Sequence, residues 1–94
     1  MSVGSQVYEF LNDLAHLLKM VRTFINDGYV PRELVRCDLF YILHKYLSDI
    51  DVFEGEGDVY ALASIYVPDL EQRLVIKIEH AQDKPRIVIE LEKA

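Results

Sequence analysis

The chain has 94 residues, enough for one domain and too few for two, and 51% of them are apolar, which excludes a disordered or low-complexity protein. A net charge of −6 and a pI near 4.9 argue against nonspecific attraction to nucleic acid or to an anionic membrane. The single cysteine excludes an internal disulfide and so a secreted disulfide scaffold.

The N-terminal stretch Met1-Ser2-Val3-Gly4-Ser5 lacks the basic n-region and apolar h-region of a signal peptide. No apolar run reaches the roughly 18–20 residues that a membrane span needs, so the expected location is cytoplasmic. Uncharged polar residues are scarce, with one Thr, two Asn and three Gln, whereas charged residues make up 28%. That balance resembles proteins of hot environments, where amides are thermolabile and ion pairs lose less to desolvation.

The first expected helix covers about residues 6–27. Val7, Phe10, Leu11, Leu14, Leu17, Leu18, Val21, Phe24 and Ile25 fall at positions a, d and e of successive heptads, and the polar residues between them lie off that stripe. Ser5 suits the N-cap, and Asn26-Asp27-Gly28 supplies a stop in which Gly28 can take the left-handed C′ conformation. Pro31 is placed for the first position of a second helix, expected over about 31–48. Val35, Leu39, Ile42 and Tyr46 form one stripe of it, and Phe40, Leu43, Leu47 and Ile50 the next. A helix with so broad an apolar arc should touch both its partner helix and a sheet. The short connection makes the two helices an antiparallel hairpin.

After Ile50 the apolar period changes from 3.6 to 2. Strands are expected at about 51–54, 59–67, 73–79 and 86–92, separated by Gly55-Glu56-Gly57-Asp58, by Pro68-Asp69 and by the turn Asp83-Lys84-Pro85. Short loops favour an antiparallel meander. The fold class is therefore α+β, an N-terminal antiparallel two-helix hairpin packed on a three- to four-stranded antiparallel β-meander. Ten of the 16 Asp and Glu residues follow Ile50, against five of the ten Lys and Arg, so the acidity belongs to the sheet half.

The strand at 59–67 departs from a simple one-sided sheet. Strict alternation puts Val59, Ala61, Ala63, Ile65 and Val67 on one face and Tyr60, Leu62, Ser64 and Tyr66 on the other, and both faces are largely apolar. With the alanines toward the helices, Tyr60, Leu62 and Tyr66 join Val75 and Val88 as an apolar patch on the outer face. Contiguous exposed apolar surface marks an association site, and tyrosine is enriched in such sites. These five residues are the expected protein-contact surface.

Catalytic and metal-binding constellations are not evident. Cys37 and His44 share a stripe of the second helix, but seven residues at 1.5 Å each separate them by roughly 10 Å, too far for direct proton transfer. The histidines stand alone, without H-x-x-x-H or C-x-x-C spacing. The carboxylates Asp49, Asp51, Glu54, Glu56 and Asp58 do not follow a calcium loop, because Phe53 occupies a ligand position. The four glycines make no phosphate-binding pattern, so no enzymatic activity, metal or cofactor is expected.

The residues thus favour a small noncatalytic protein-interaction module of adaptor, inhibitor or antitoxin type. It is expected to self-associate as a homodimer through the outer sheet face and to have room for a further protein partner. An alternative is a nucleic-acid-binding, helix-turn-helix-like protein that uses Lys19, Arg22, Arg32 and Arg36 around the interhelical turn. The acidic turn at Glu54–Asp58 stands against it, since it lies where phosphates would have to sit.

Overall fold

A computed structural model describes residues 3–82 and 84–93. Of the expected turn Asp83-Lys84-Pro85, Asp83 lies outside the described residues, as do Met1, Ser2 and Ala94. Two helices, α1 (Val3–Asn26) and α2 (Arg32–His44), precede four strands, β1 (Asp51–Glu54), β2 (Val59–Val67), β3 (Gln72–Ala81) and β4 (Lys84–Lys93). The strands form one antiparallel sheet in the order β1-β2-β3-β4. The α+β architecture is that expected from the sequence, with four strands rather than three.

α1 ends as its sequence dictates. Gly28 has φ +90°, the amide of Tyr29 donates to the carbonyl of Phe24, and that of Gly28 donates to Ile25. This pair of bonds is a Schellman motif, which satisfies the last carbonyls and turns the chain back toward α2. α2 stops four residues earlier than the stripe pattern implies. The amides of Lys45 and Tyr46 donate to carbonyls three residues back, Ile42 and Leu43, which tightens the last turn. The chain then bends so that Ile50 enters the core with 3% exposure, and the ring nitrogen Nε2 of His44 meets the Ile50 carbonyl at 3.0 Å. Burying Ile50 ahead of β1 thus takes precedence over another turn of helix.

The core lies between the layers. Leu14, Leu17 and Val21 of α1 and Val35, Leu39 and Leu43 of α2 face Ala61 and Ala63 of β2 and Ile76 and Ile78 of β3. The two alanines are fully buried, so α2 approaches the sheet closely over β1 and β2. α1 packs beside α2 and reaches across to β4.

Register fixes which residues share a face. Ser64 pairs with Val75 and Leu62 with Lys77, whereas Ala63 pairs with Ile76. Even-numbered residues of β2 from Leu62 onward therefore lie on the outer face. The register shifts between Val59 and Ala61, because Val59 pairs with Glu79 but Ala61 pairs with Ile78. A bulge of this kind sets two residues of one strand against one of its neighbour and re-aims a side chain.

Candidate functional site

Of the five residues expected on the outer face, four are there and one is not. Leu62, Tyr66, Val75 and Val88 follow the outer register. Tyr60 is the bulged residue. It is 7% exposed and belongs to the core cluster with Ala61, which corrects the strict alternation read from the sequence. Nor is the outer face a bare apolar patch. Val75 is only 3% exposed, flanked along β3 by Arg73 and Lys77, whose long stems cover apolar neighbours. Arg73 donates to the Ser64 hydroxyl at 2.8 Å, and Lys77 donates to Glu90 at 2.6 Å and lies 3.6 Å from Glu92. These bonds hold the Glu90 carboxyl below the ordinary carboxylate range and the Lys77 ammonium above its ordinary range, both against the opposing effect of burial. On this face Tyr66 stands 45% and Phe53 51% exposed, on either side of polar ground.

Tyr60 instead anchors a polar cluster where the helices meet the β1–β2 hairpin. Its hydroxyl lies 3.0 Å from Nδ1 of His80, and the Arg32 guanidinium sits 5.3 Å from its ring centroid. Burial pushes the Tyr60 phenol up, with Asp58 adding to the effect and Arg32 opposing it, so the group keeps its proton. Arg32 donates from one nitrogen to the carbonyls of Gly55 (2.9 Å) and Val59 (2.6 Å), and from another to Gly57. The planar fork of the guanidinium is what allows one side chain to hold three carbonyls of a turn. The turn is itself built for this approach: a Cβ on Gly55 would overlap the Val59 carbonyl. A shallow concavity of about 400 Å³ opens beside the cluster, lined by Ile25, Gly28, Tyr29, Val30, Tyr60 and His80.

This arrangement takes Arg32 out of the group expected to meet nucleic acid. Arg36 points a guanidinium nitrogen at Sγ of Cys37, 3.2 Å away, while Lys19 and Arg22 are exposed on α1. The structure therefore does not bring the four basic residues together as one open cluster. Cys37 and His44 also have separate neighbours, since His44 stacks on Phe40 at 3.9 Å. Among the described residues no three His, Cys, Asp or Glu side chains gather as metal ligands, and no helix is long and apolar enough to cross a membrane.

A further open apolar surface lies between α1 and the edge strand β4. Ile87, Ile89 and Leu91 pair with Ile78, Ile76 and Leu74 and so point toward the helix layer. Cover fails along the strand: Ile87 is half-buried against the core, but Ile89 is 57% and Leu91 50% exposed. The cause is the placement of α1. Its C-terminal end lies by Tyr60 and His80, so its N-terminal half lies toward the Leu74–Leu91 end of the sheet. Contacts from α2's end fall at Phe10, whose ring meets Tyr46 edge-on at 5.3 Å, and at Asp13, bonded to Lys45 and Tyr46. The turns before Phe10 run past that end, and Val7 and Leu11 of the apolar stripe are 50% and 57% exposed.

Sequence reasoning overlooked this surface, although every residue of it stood in a recognised stripe or strand. The cause is a mismatch of lengths that the sequence understates, because the expected spans 6–27 and 31–48 differ by only four residues. In the structure α1 has 24 residues and α2 13, which makes α1 about 16 Å longer at 1.5 Å per residue. A stripe that outruns its partner helix has apolar residues left over.

Comparison with protein families, with characterised proteins and with solved structures finds no match to this chain.

Proposed function

We propose that the protein is a noncatalytic protein-interaction module that self-associates, and that the contact face is the open side of the molecule formed by the first turns of α1 and by β4. The observation that carries this reading is the exposure of Val7, Leu11, Ile89 and Leu91, each half or more open to solvent, beside a ten-residue strand that is the sheet's last among the described residues. Apolar side chains scattered singly are ordinary on a protein surface; four that belong to one helix stripe and one strand face are an association site. The outer face expected from the sequence supports the reading less, because its apolar residues are interleaved with Arg73, Lys77, Glu90 and Glu92.

Light scattering and sedimentation over a range of concentrations test it. The wild type is expected to exceed the 10.9 kDa of one chain, and Ile89→Asn with Leu91→Asn to return it to that mass. Tyr66→Glu, on the outer face, should leave association unchanged. A wild type that stays at 10.9 kDa throughout overturns the reading.

A further inference from the structure

We infer that the occupant of this open face is a second copy of the chain, with the two β4 strands paired antiparallel about a two-fold axis at Val88 to make one continuous eight-stranded sheet. The inference rests on the reading above and adds the strand pairing, its direction and its register.

Direction follows from charge. On the outer face β4 carries Lys84 and Arg86 before Val88 and Glu90 and Glu92 after it. Two such strands laid parallel set like charge against like, which destabilises a cross-strand pair. Laid antiparallel, they set opposite charges together. The same pattern protects a long edge from indiscriminate pairing while leaving it complementary to itself.

Register follows from the pleat. Residues directly opposite one another in an antiparallel pair point to the same face, so a one-residue slip would turn one copy over and put its helices on the opposite side. Registers that keep both helix layers on one side are centred on a residue, and three lie near the middle of β4. Centred on Val88, Lys84 meets the partner's Glu92 and Arg86 meets the partner's Glu90, twice each by symmetry. Centred on Ile89, only Arg86 finds an opposite charge, and Val88 faces the partner's Glu90. Centred on Ile87, only Lys84 finds one, and Arg86 faces the partner's Val88. The Val88 register is the one that pairs all four charges.

That register also extends bonds already made within one chain. Arg86 donates to Glu79 at 2.6 Å, and Lys77 holds Glu90 at 2.6 Å. Across the axis these become one row of alternating charge, running from Glu79 through Arg86 to the partner's Glu90, with the partner's Lys77 on its flank. On the inner face Ile87 meets the partner's Ile89, and Leu91 meets the partner's Pro85. The side chains that α1 leaves open are then covered by the other copy. Pro85, which has no N–H to give, falls near the end of the pairing, where it also limits how far the ladder runs.

Two measurements on the full chain test the pairing. In a Cys37→Ser background, Val88→Cys places two thiols across the axis, with Cβ atoms about 4.5–5.5 Å apart. Mild oxidation should link most of the dimer, while Thr23→Cys on the exposed side of α1 should link none. Separately, Arg86→Glu and Glu90→Arg each bring like charges together across the axis and should weaken the dimer about tenfold or more. An equimolar mixture of the two should restore it, because each chain of the mixed dimer supplies what the other lacks. A loss of folding in either variant would not be rescued by mixing. A dimer that neither links through position 88 nor shows rescue overturns the β4 pairing and leaves the interaction reading standing. A monomeric wild type overturns both.

Discussion

The two edges of the sheet are finished in different ways. At one edge β1 has only four residues, lies under α2, and continues into a turn clamped by Arg32 through three carbonyls. At the other, β4 has ten residues, its inner face passes out from under α1, and its charged residues pair inward with β3. Short, covered edges are how proteins prevent strand addition; long, apolar-faced edges invite it. The difference teaches that the molecule closes one edge of its sheet and leaves the other uncovered, as the proposed association requires. The two edges should therefore respond to different perturbations, stability at the first and assembly at the second.

The largest stability effect is expected at the closed edge. Arg32→Ala removes three charge-assisted bonds and leaves their carbonyls to find water, a loss of about 2–4 kcal/mol. Urea unfolding of the variant measures it. Arg32→Lys should recover less than half, since a single ammonium cannot reproduce the fork. Close behind the clamp, Tyr60→Phe removes the hydroxyl that meets His80 and should cost about 1 kcal/mol by the same measurement. A null result for Arg32→Ala would remove the physical basis for calling this edge closed.

At the open edge the expectation reverses. Ile89→Asn with Leu91→Asn replaces side chains that are already half or more exposed, so the stability of the isolated chain should change by less than about 0.5 kcal/mol. A dimer, if lost, is lost without unfolding. Far-ultraviolet circular dichroism at low concentration separates the two effects, and a large loss of structure would show that Ile89 and Leu91 are core residues of the monomer.

Much of the fold was legible in the sequence, whereas the contrast between the two edges was not, for identifiable causes. The stripe from Val7 to Ile25, the Gly28 stop and the period-2 runs specify helices, strands and an antiparallel meander, because each rests on local sterics and periodicity. The bulge left no trace: Val59, Tyr60 and Ala61 are all apolar, so alternation offers no residue that looks out of place. Its consequence, Tyr60 turned into the core, depends on His80 and Arg32, which lie 20 and 28 positions away in sequence. Arg32 looked like a free cation because a side chain's carbonyl partners are invisible until the chain folds. The open face was hidden for a related reason. Ile89 and Leu91 have the pattern of core residues, and whether they are covered is decided by where α1 lies, not by β4's own sequence.

The smallest expected effect concerns pH and sharpens the same contrast. Lys77 and Glu90 stabilise each other on the outer face beside the open edge. Because Glu90 is held below its ordinary range, its contribution is present above the carboxylate's unfolded pKa and is lost as pH falls through the lowered folded value. Because Lys77 is held above its ordinary range, its contribution is present below the ammonium's unfolded pKa and is lost as pH rises through the raised folded value. The stability difference between the wild type and Glu90→Gln should therefore be flat through neutrality, vanish in acid, and shrink again in strong alkali. Measured in the Ile89→Asn, Leu91→Asn background, it reports on one chain rather than on assembly. Added salt should reduce it, since both groups are reached by solvent ions. The Arg32→Ala difference should hold across the same acid range and fall less with salt, because the partners of Arg32 are carbonyls that neither titrate nor carry a charge to screen. If both differences fell together with acid or with salt, the two edges would be held by the same kind of force, and the contrast between a clamped edge and an open one would fail.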